Sequence, residues 1–121
     1  MLKTYAIRGA TTIKLNTITE IKSASLELLN ELLQKNSLDK CDLISLTTTT
    51  TQDITAAYPV KFMRDSNLCG DMPFFSCSEP NIDNALQFCI RVLLLVQLDN
   101  TNFKPQHIYL NNAKILRPDI N

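Results

Sequence analysis

The sequence predicts an α+β domain, five strands packed against one long helix, and three observations carry that prediction. A capped amphipathic segment runs from about Thr17 to Lys35. A nearly continuous apolar segment, Phe88 to Leu98, carries the β-branched residues Ile90, Val92 and Val96. Shorter segments of strand composition are spaced around these two and punctuated by Gly, Pro and polar residues. The 121 residues suit one domain, residues 1–121, with a real but modest core.

Taken in order, Lys3 to Arg8 reads as a first strand, with Tyr5 and Ile7 on one face and Thr4 and Ala6 on the other; Gly9 is expected to end it. Thr17-Ile18-Thr19-Glu20 matches a capping box, in which Thr and Glu side chains satisfy amides left open at a helix start. Ile18, Ile21, Ala24, Leu28, Leu29 and Leu32 then recur at helical spacing, flanked by Leu26 and Leu33, and form the stripe that covers a sheet. Leu43 to Thr49 reads as a second strand running into the threonine run Thr47 to Thr51, where β-branching favours extended backbone. Pro59 predicts a short helical turn in Tyr58 to Arg64, since proline suits a first turn. A third strand is expected near Phe74 to Ser78.

Cys89 to Gln97 reads equally as buried helix or buried strand by periodicity, and its β-branched residues favour strand. A strand puts Ile90, Val92, Leu94 and Val96 on one face, under the long helix. Cys89, Arg91, Leu93, Leu95 and Gln97 fall on the other, which is also apolar. One helix covers only one side of a sheet, so the second face implies subunit association. His107 to Leu110 is a last short strand, which Lys114 to Leu116 is expected to extend before Pro118.

Composition excludes several classes. Twelve basic and twelve acidic residues give no argument for nucleic acid or an anionic membrane. Cys41, Cys69, Cys77 and Cys89 form no C-x-x-C pair and His107 is the single histidine, so no metal site is expected and reduced thiols in the cytoplasm are. The N-terminal residues show no apolar signal region, and Val92 to Val96 is too short to span a bilayer. With two glycines, Gly9 and Gly70, no glycine-rich phosphate loop or nucleophile elbow is present, and a Cys–His pair with His107 has no local support.

What remains is charge next to element ends: Arg8, Lys61, Arg64, Arg91 and Arg117. Arg91 is the most informative, because it interrupts the most apolar segment. An unpaired buried guanidinium costs several kcal/mol or more, and arginine cannot escape by deprotonation. It must reach water, pair with a carboxylate, for which Glu79 is the candidate, or await an anionic ligand. Lys61 and Arg64, taken alone, read as solvated charges, and Tyr109 as a core aromatic with its hydroxyl at the rim. Cations gathered around one carboxylate suit a small, multiply anionic ligand.

Ile7-Arg8-Gly9-Ala10-Thr11-Thr12, Tyr58-Pro59-Val60-Lys61 with Arg64, Cys89-Ile90-Arg91-Val92, Tyr109-Leu110 and Leu116-Arg117-Pro118-Asp119 together resemble the AroH-class chorismate mutases, in order and spacing. The resemblance implies a five-stranded mixed sheet in a ferredoxin-like variant. It also implies a homotrimeric pseudo-barrel with active sites between subunits. The implied activity is the cofactor-independent rearrangement of chorismate to prephenate in phenylalanine and tyrosine biosynthesis. Under it, Arg91 contacts the ether oxygen and a carboxylate, Glu79 accepts from the substrate hydroxyl, and Arg8 and Tyr109 bind carboxylate. Tyr58, Lys61 and Arg64 come from the neighbouring subunit or line the entrance, and Arg117 closes the site. Phe75 and Ser76 line the pocket where that family carries a small polar residue and a cysteine. A non-catalytic trimeric module binding a small carboxylate is the alternative.

Overall fold

The computed structural model describes residues 1–120. Five strands form one mixed sheet in the order β3-β2-β4-β1-β5: β1 Lys3–Thr12, β2 Leu43–Thr50, β3 Phe74–Ser78, β4 Cys89–Leu98 and β5 Ile108–Tyr109. The central strand β4 runs antiparallel to β1 and β2, while the outer pairs β1/β5 and β2/β3 are parallel. Two helices join it, α1 Ile18–Lys35 and α2 Pro59–Asp65. So the chain carries a second, short helix beside the long one, begun by Pro59 in its first turn. No helix among the described residues is long and apolar enough to cross a membrane.

Helix α1 starts where its cap predicts: Thr17 Oγ1 accepts from the Glu20 amide at 3.2 Å. The returning half differs from a standard capping box. Glu20 Oε1 reaches past Thr17 and accepts from the Lys14 and Leu15 amides at 3.1 and 3.4 Å, tying the incoming loop to the first turn. Ile21, Ala24, Leu28, Leu29 and Leu32 are buried as the stripe requires. Ile18, in the first turn, is exposed and falls outside the buried stripe. At the far end, the buried Asn36 amide donates to the Leu32 carbonyl (2.8 Å) and the Gln106 carbonyl (3.0 Å), and its Oδ1 accepts from the Gln106 amide (2.7 Å). The helix terminus is thus pinned to the segment leading into β5.

Gly9 does not end β1; the strand continues through it to Thr12. A Cβ there would lie 3.0 Å from a Val92 methyl, 3.2 Å from Leu28 and 3.3 Å from Leu32. The missing side chain lets α1 settle onto the sheet, a close approach rather than a turn. Lys114 to Leu116 also differs from expectation: it belongs to a 3-10 turn, Asn111–Leu116, and not to a strand. Asn111, which follows Leu110 just beyond the end of β5, takes φ 54° and turns the chain, and its amide holds the turn by donating to Thr11 Oγ1 at 2.9 Å.

The two faces of the sheet differ sharply. Ile7, Leu46, Ile90, Val92, Leu94 and Val96 are buried beneath α1 and α2, the core side. On the opposite face Leu93 is 41% and Phe75 66% exposed. That face is open at Leu93 and Phe75, while at its other end Ala10, Cys89 and Tyr109 are buried against Ala113 of the turn that follows β5.

Candidate active site

The strand register brings distant residues into rows on the face opposite the helices. Cys77 stands opposite Thr49, Thr49 opposite Arg91, Arg91 opposite Ala10, and Ala10 opposite Tyr109. The next row on that face holds Phe75, Thr47, Leu93 and Arg8. With about 4.8 Å between neighbouring strands, Tyr109 lies roughly 10 Å across the sheet from Arg91. Five strands are thereby needed to assemble one line of side chains.

Glu79 follows β3 directly. Its amide donates to the Thr50 carbonyl at 2.9 Å, continuing the β2/β3 pairing, and Gln52 Nε2 donates to its carbonyl at 3.2 Å. The side chain therefore falls on the Arg91 face. Arg91 Nε lies 3.0 Å from Glu79 Oε2, with Glu79 the more buried partner at 16% side-chain exposure against 40%. The Nε–H is not aligned on the carboxylate: the atom is buried and makes no hydrogen bond, so the contact is an ion pair alone. Of the three fates open to Arg91, pairing with a carboxylate is realised, and the side chain also reaches solvent. A cavity of about 750 Å³ opens beside the pair, lined by Arg91, Glu79, Thr51, Gln52, Asp53 and the segment 80–87. That volume suits a small-molecule ligand.

A second network fixes the start of β4. Thr51 Oγ1 accepts from the Cys89 amide at 2.9 Å and donates to Asp53 Oδ1 at 2.5 Å; Asp53 Oδ2 accepts from the Phe88 amide at 2.9 Å. Phe88 holds φ 51°, costly for an aromatic residue, and Asp53 stabilises it by capping its amide. Cys89 is buried against Ala10, Tyr109 and Ala113. Burial pushes its thiol up to about 11, with Arg91 opposing, so it is held neutral and poorly suited to nucleophilic chemistry.

Arg8 is exposed, and its backbone amide donates to His107 Nδ1 at 3.0 Å. Tyr109 is buried to 8% exposure. Arg117 makes a two-point contact with Asp119, Nε to Oδ1 at 3.0 Å and Nη2 to Oδ2 at 2.9 Å, which raises the arginine pKa and lowers the carboxyl. Tyr58, Lys61 and Arg64 lie apart, on α2 or just before it. All three are exposed; Lys61 pairs with Asp65 at 3.0 Å, and Arg64 approaches the same carboxylate at 3.9 Å. Ser76 stands opposite Thr48, which stands opposite the buried Val92, so its side chain is on the α-helical face, away from Arg91. Tyr58 and Ser76 line a second cavity of about 680 Å³, which meets the first across Thr51 and Gln52. The expected residues thus fall into three groups: Arg91 with Glu79; Arg8, Tyr109 and Arg117; and Tyr58, Lys61, Arg64 with Ser76. Phe75 stands in the open row beside Leu93.

Residues 4–120 match the chorismate mutase type I family. The chain belongs to that family. It is 32% identical over 114 residues to the chorismate mutase AroH of Bacillus subtilis, covering 94% of this chain and 90% of that one. It is 34% identical over 115 residues to the chorismate mutase AroH of Thermus thermophilus, covering 94% and 93%. The solved structure of a chorismate mutase from Clostridium thermocellum superposes with a TM-score of 0.86 at 37% identity, over 92% of this chain and 98% of that one. The mixed five-stranded sheet is therefore the sheet of a type I chorismate mutase.

Sequence reasoning within this chorismate mutase missed Thr49, Thr51 and Asp53. The threonine run was read for backbone preference alone, yet alternate members point to opposite faces, and Thr49 Oγ1 donates to Glu79 Oε2 at 2.5 Å. The signal available was Asp53, two residues after the run, a carboxylate within reach of the Thr51 hydroxyl.

His107 supplies a pH prediction. Burial lowers its pKa, and the cations Arg8 and Arg117 push the same way. The unfolded chain takes up a proton near 6.5 while the folded chain resists it. Stability is therefore complete above that value and falls as pH drops through it. The fall in Tm between about pH 7.5 and 5.5 is expected to be smaller in His107→Gln, which cannot titrate, than in the parent chain. Equal falls would remove His107 from the pH response.

Proposed function

We propose that the protein is a chorismate mutase, an isomerase that rearranges chorismate to prephenate in aromatic amino acid biosynthesis. The observation that carries this is the Arg91–Glu79 pair, a fixed cation and carboxylate at the wall of a ligand-sized cavity. The reaction is intramolecular: one C–O bond breaks as one C–C bond forms, and no group passes to the protein. The enzyme must hold a dicarboxylate in its compact reactive conformer. It must also meet the negative charge growing on the ether oxygen with a preorganised cation. Arg91 is assigned that oxygen and a carboxylate, and Glu79 the substrate hydroxyl. Arg8 and Tyr109 take carboxylate, and Arg117 closes the site.

We further propose a homotrimer whose subunits bury the open sheet face. Phe75, Leu93 and half-buried Leu95 support an apolar contact there. Tyr58, Lys61 and Arg64 are then supplied to each site by a neighbouring copy, with Phe75 and Ser76 at the pocket wall. Four unpaired cysteines support a cytoplasmic location.

The test is incubation with chorismate while following loss of its diene absorbance, with prephenate identified as product. Binding without turnover at high protein concentration would instead support a carboxylate-binding module. Glu79→Gln is expected to lower kcat about tenfold to a hundredfold, since a neutral amide accepts a hydrogen bond from the substrate hydroxyl less strongly. Unchanged kinetics would give Glu79 a structural role.

A further inference from the structure

The catalytic carboxylate is held by a residue outside the expected set. Thr49 sits on β2 between Cys77 and Arg91 in register, half-buried on the open face. Its hydroxyl donates to Glu79 Oε2 at 2.5 Å, and the same oxygen is the one 3.0 Å from Arg91 Nε. Oε2 is thus engaged twice, while Oε1 accepts no hydrogen bond among the described residues. A carboxylate free to rotate beside an arginine tends toward a two-point fork, both oxygens on the guanidinium. That arrangement would neutralise the cation and leave no acceptor for a ligand.

Accepting the assignment of Glu79 and Arg91 to chorismate chemistry, we infer that Thr49 is a positioning residue: its hydroxyl pins Glu79 Oε2, keeping Oε1 open to the substrate and stopping the carboxylate from closing as a fork over Arg91. Threonine suits the task because its hydroxyl sits on a stiff, β-branched side chain whose χ1 is already restricted in a strand. The role belongs to the hydroxyl and not to the packing, which separates it from an ordinary strand threonine.

The test is Thr49→Val, which keeps shape and β-branching and removes only the donor. Loss of one charge-assisted hydrogen bond predicts a fall in kcat of about tenfold to a hundredfold, with Tm close to that of the parent chain. Thr49→Ser, which restores a hydroxyl, is expected to recover most of the loss. In a Glu79→Ala background, adding Thr49→Val is expected to change kcat no further, because the group it positions is gone. Parent-like kcat in Thr49→Val overturns the inference. So does a loss that adds in full to that of Glu79→Ala, or one that tracks a fall in Tm and is not recovered by serine. Failure of the parent protein to convert chorismate would overturn the functional assignment instead, so the two failures are distinguishable.

Discussion

Arg91→Ala is expected to lower kcat on chorismate by about a thousandfold or more while the chain keeps its fold. Removing one preorganised donor from a site of developing negative charge typically costs about a hundredfold to a thousandfold. Arg91 is assigned both the ether oxygen and a carboxylate, so its loss removes charge stabilisation and part of the orientation of the substrate. The fold has little stake in the side chain: among the described residues it makes no hydrogen bond, it is 40% exposed, and its ion-pair partner is Glu79. Truncation leaves that carboxylate with Thr49 as its partner. Far-UV circular dichroism and Tm should stay near those of the parent chain. A rise in KM alone, with kcat preserved, would move Arg91 out of the chemical step.

Leu28→Ala is expected to have the largest effect on stability, about 2–5 kcal/mol. Leu28 is fully buried in the core cluster with Ile7, Leu32, Leu46, Val92 and Leu94. One of its methyl carbons lies 3.2 Å from where a Cβ on Gly9 would stand, so it fills the space that the glycine leaves. Truncation there opens a cavity at the closest contact between helix and sheet, where neither layer can collapse without moving the other. Urea unfolding at fixed protein concentration should show the loss as a lower midpoint with little change in slope. A change below about 1 kcal/mol would mean that α1 is held by its ends, through Thr17 and Asn36, more than by its stripe.

Local chemistry was legible in the sequence. The Thr17 cap, Pro59 at the start of α2 and the alternation along β4 each depend on residues within a few positions, and each element forms where those residues place it. Gly9 was misread because glycine signals a turn by default; the close approach of Leu28 and Leu32 that explains it comes from residues about twenty positions away. Asn111 was missed because a left-handed residue after a two-residue strand leaves no periodic mark. Arg91 announced its need for a partner, and Glu79 was the candidate named, but the mutual arrangement depends on a sheet order that crosses β3, β2 and β4. Thr49 was invisible for the same reason, since only register reveals which threonine of the run faces the carboxylate. Tyr58, Lys61 and Arg64 carry a recognisable spacing, yet in one chain Tyr58 lines a different cavity from Arg91 and Lys61 and Arg64 line neither.

The most direct measurement is single-turnover conversion of chorismate with protein in excess, comparing the parent chain with Arg91→Gln. Glutamine keeps a polar donor on a shorter side chain and removes the charge, and excess protein reduces the influence of weaker binding on the observed rate. The account predicts rapid, complete conversion to prephenate by the parent chain and a rate about a hundredfold to a thousandfold slower in the variant. Equal rates in the two proteins would contradict it.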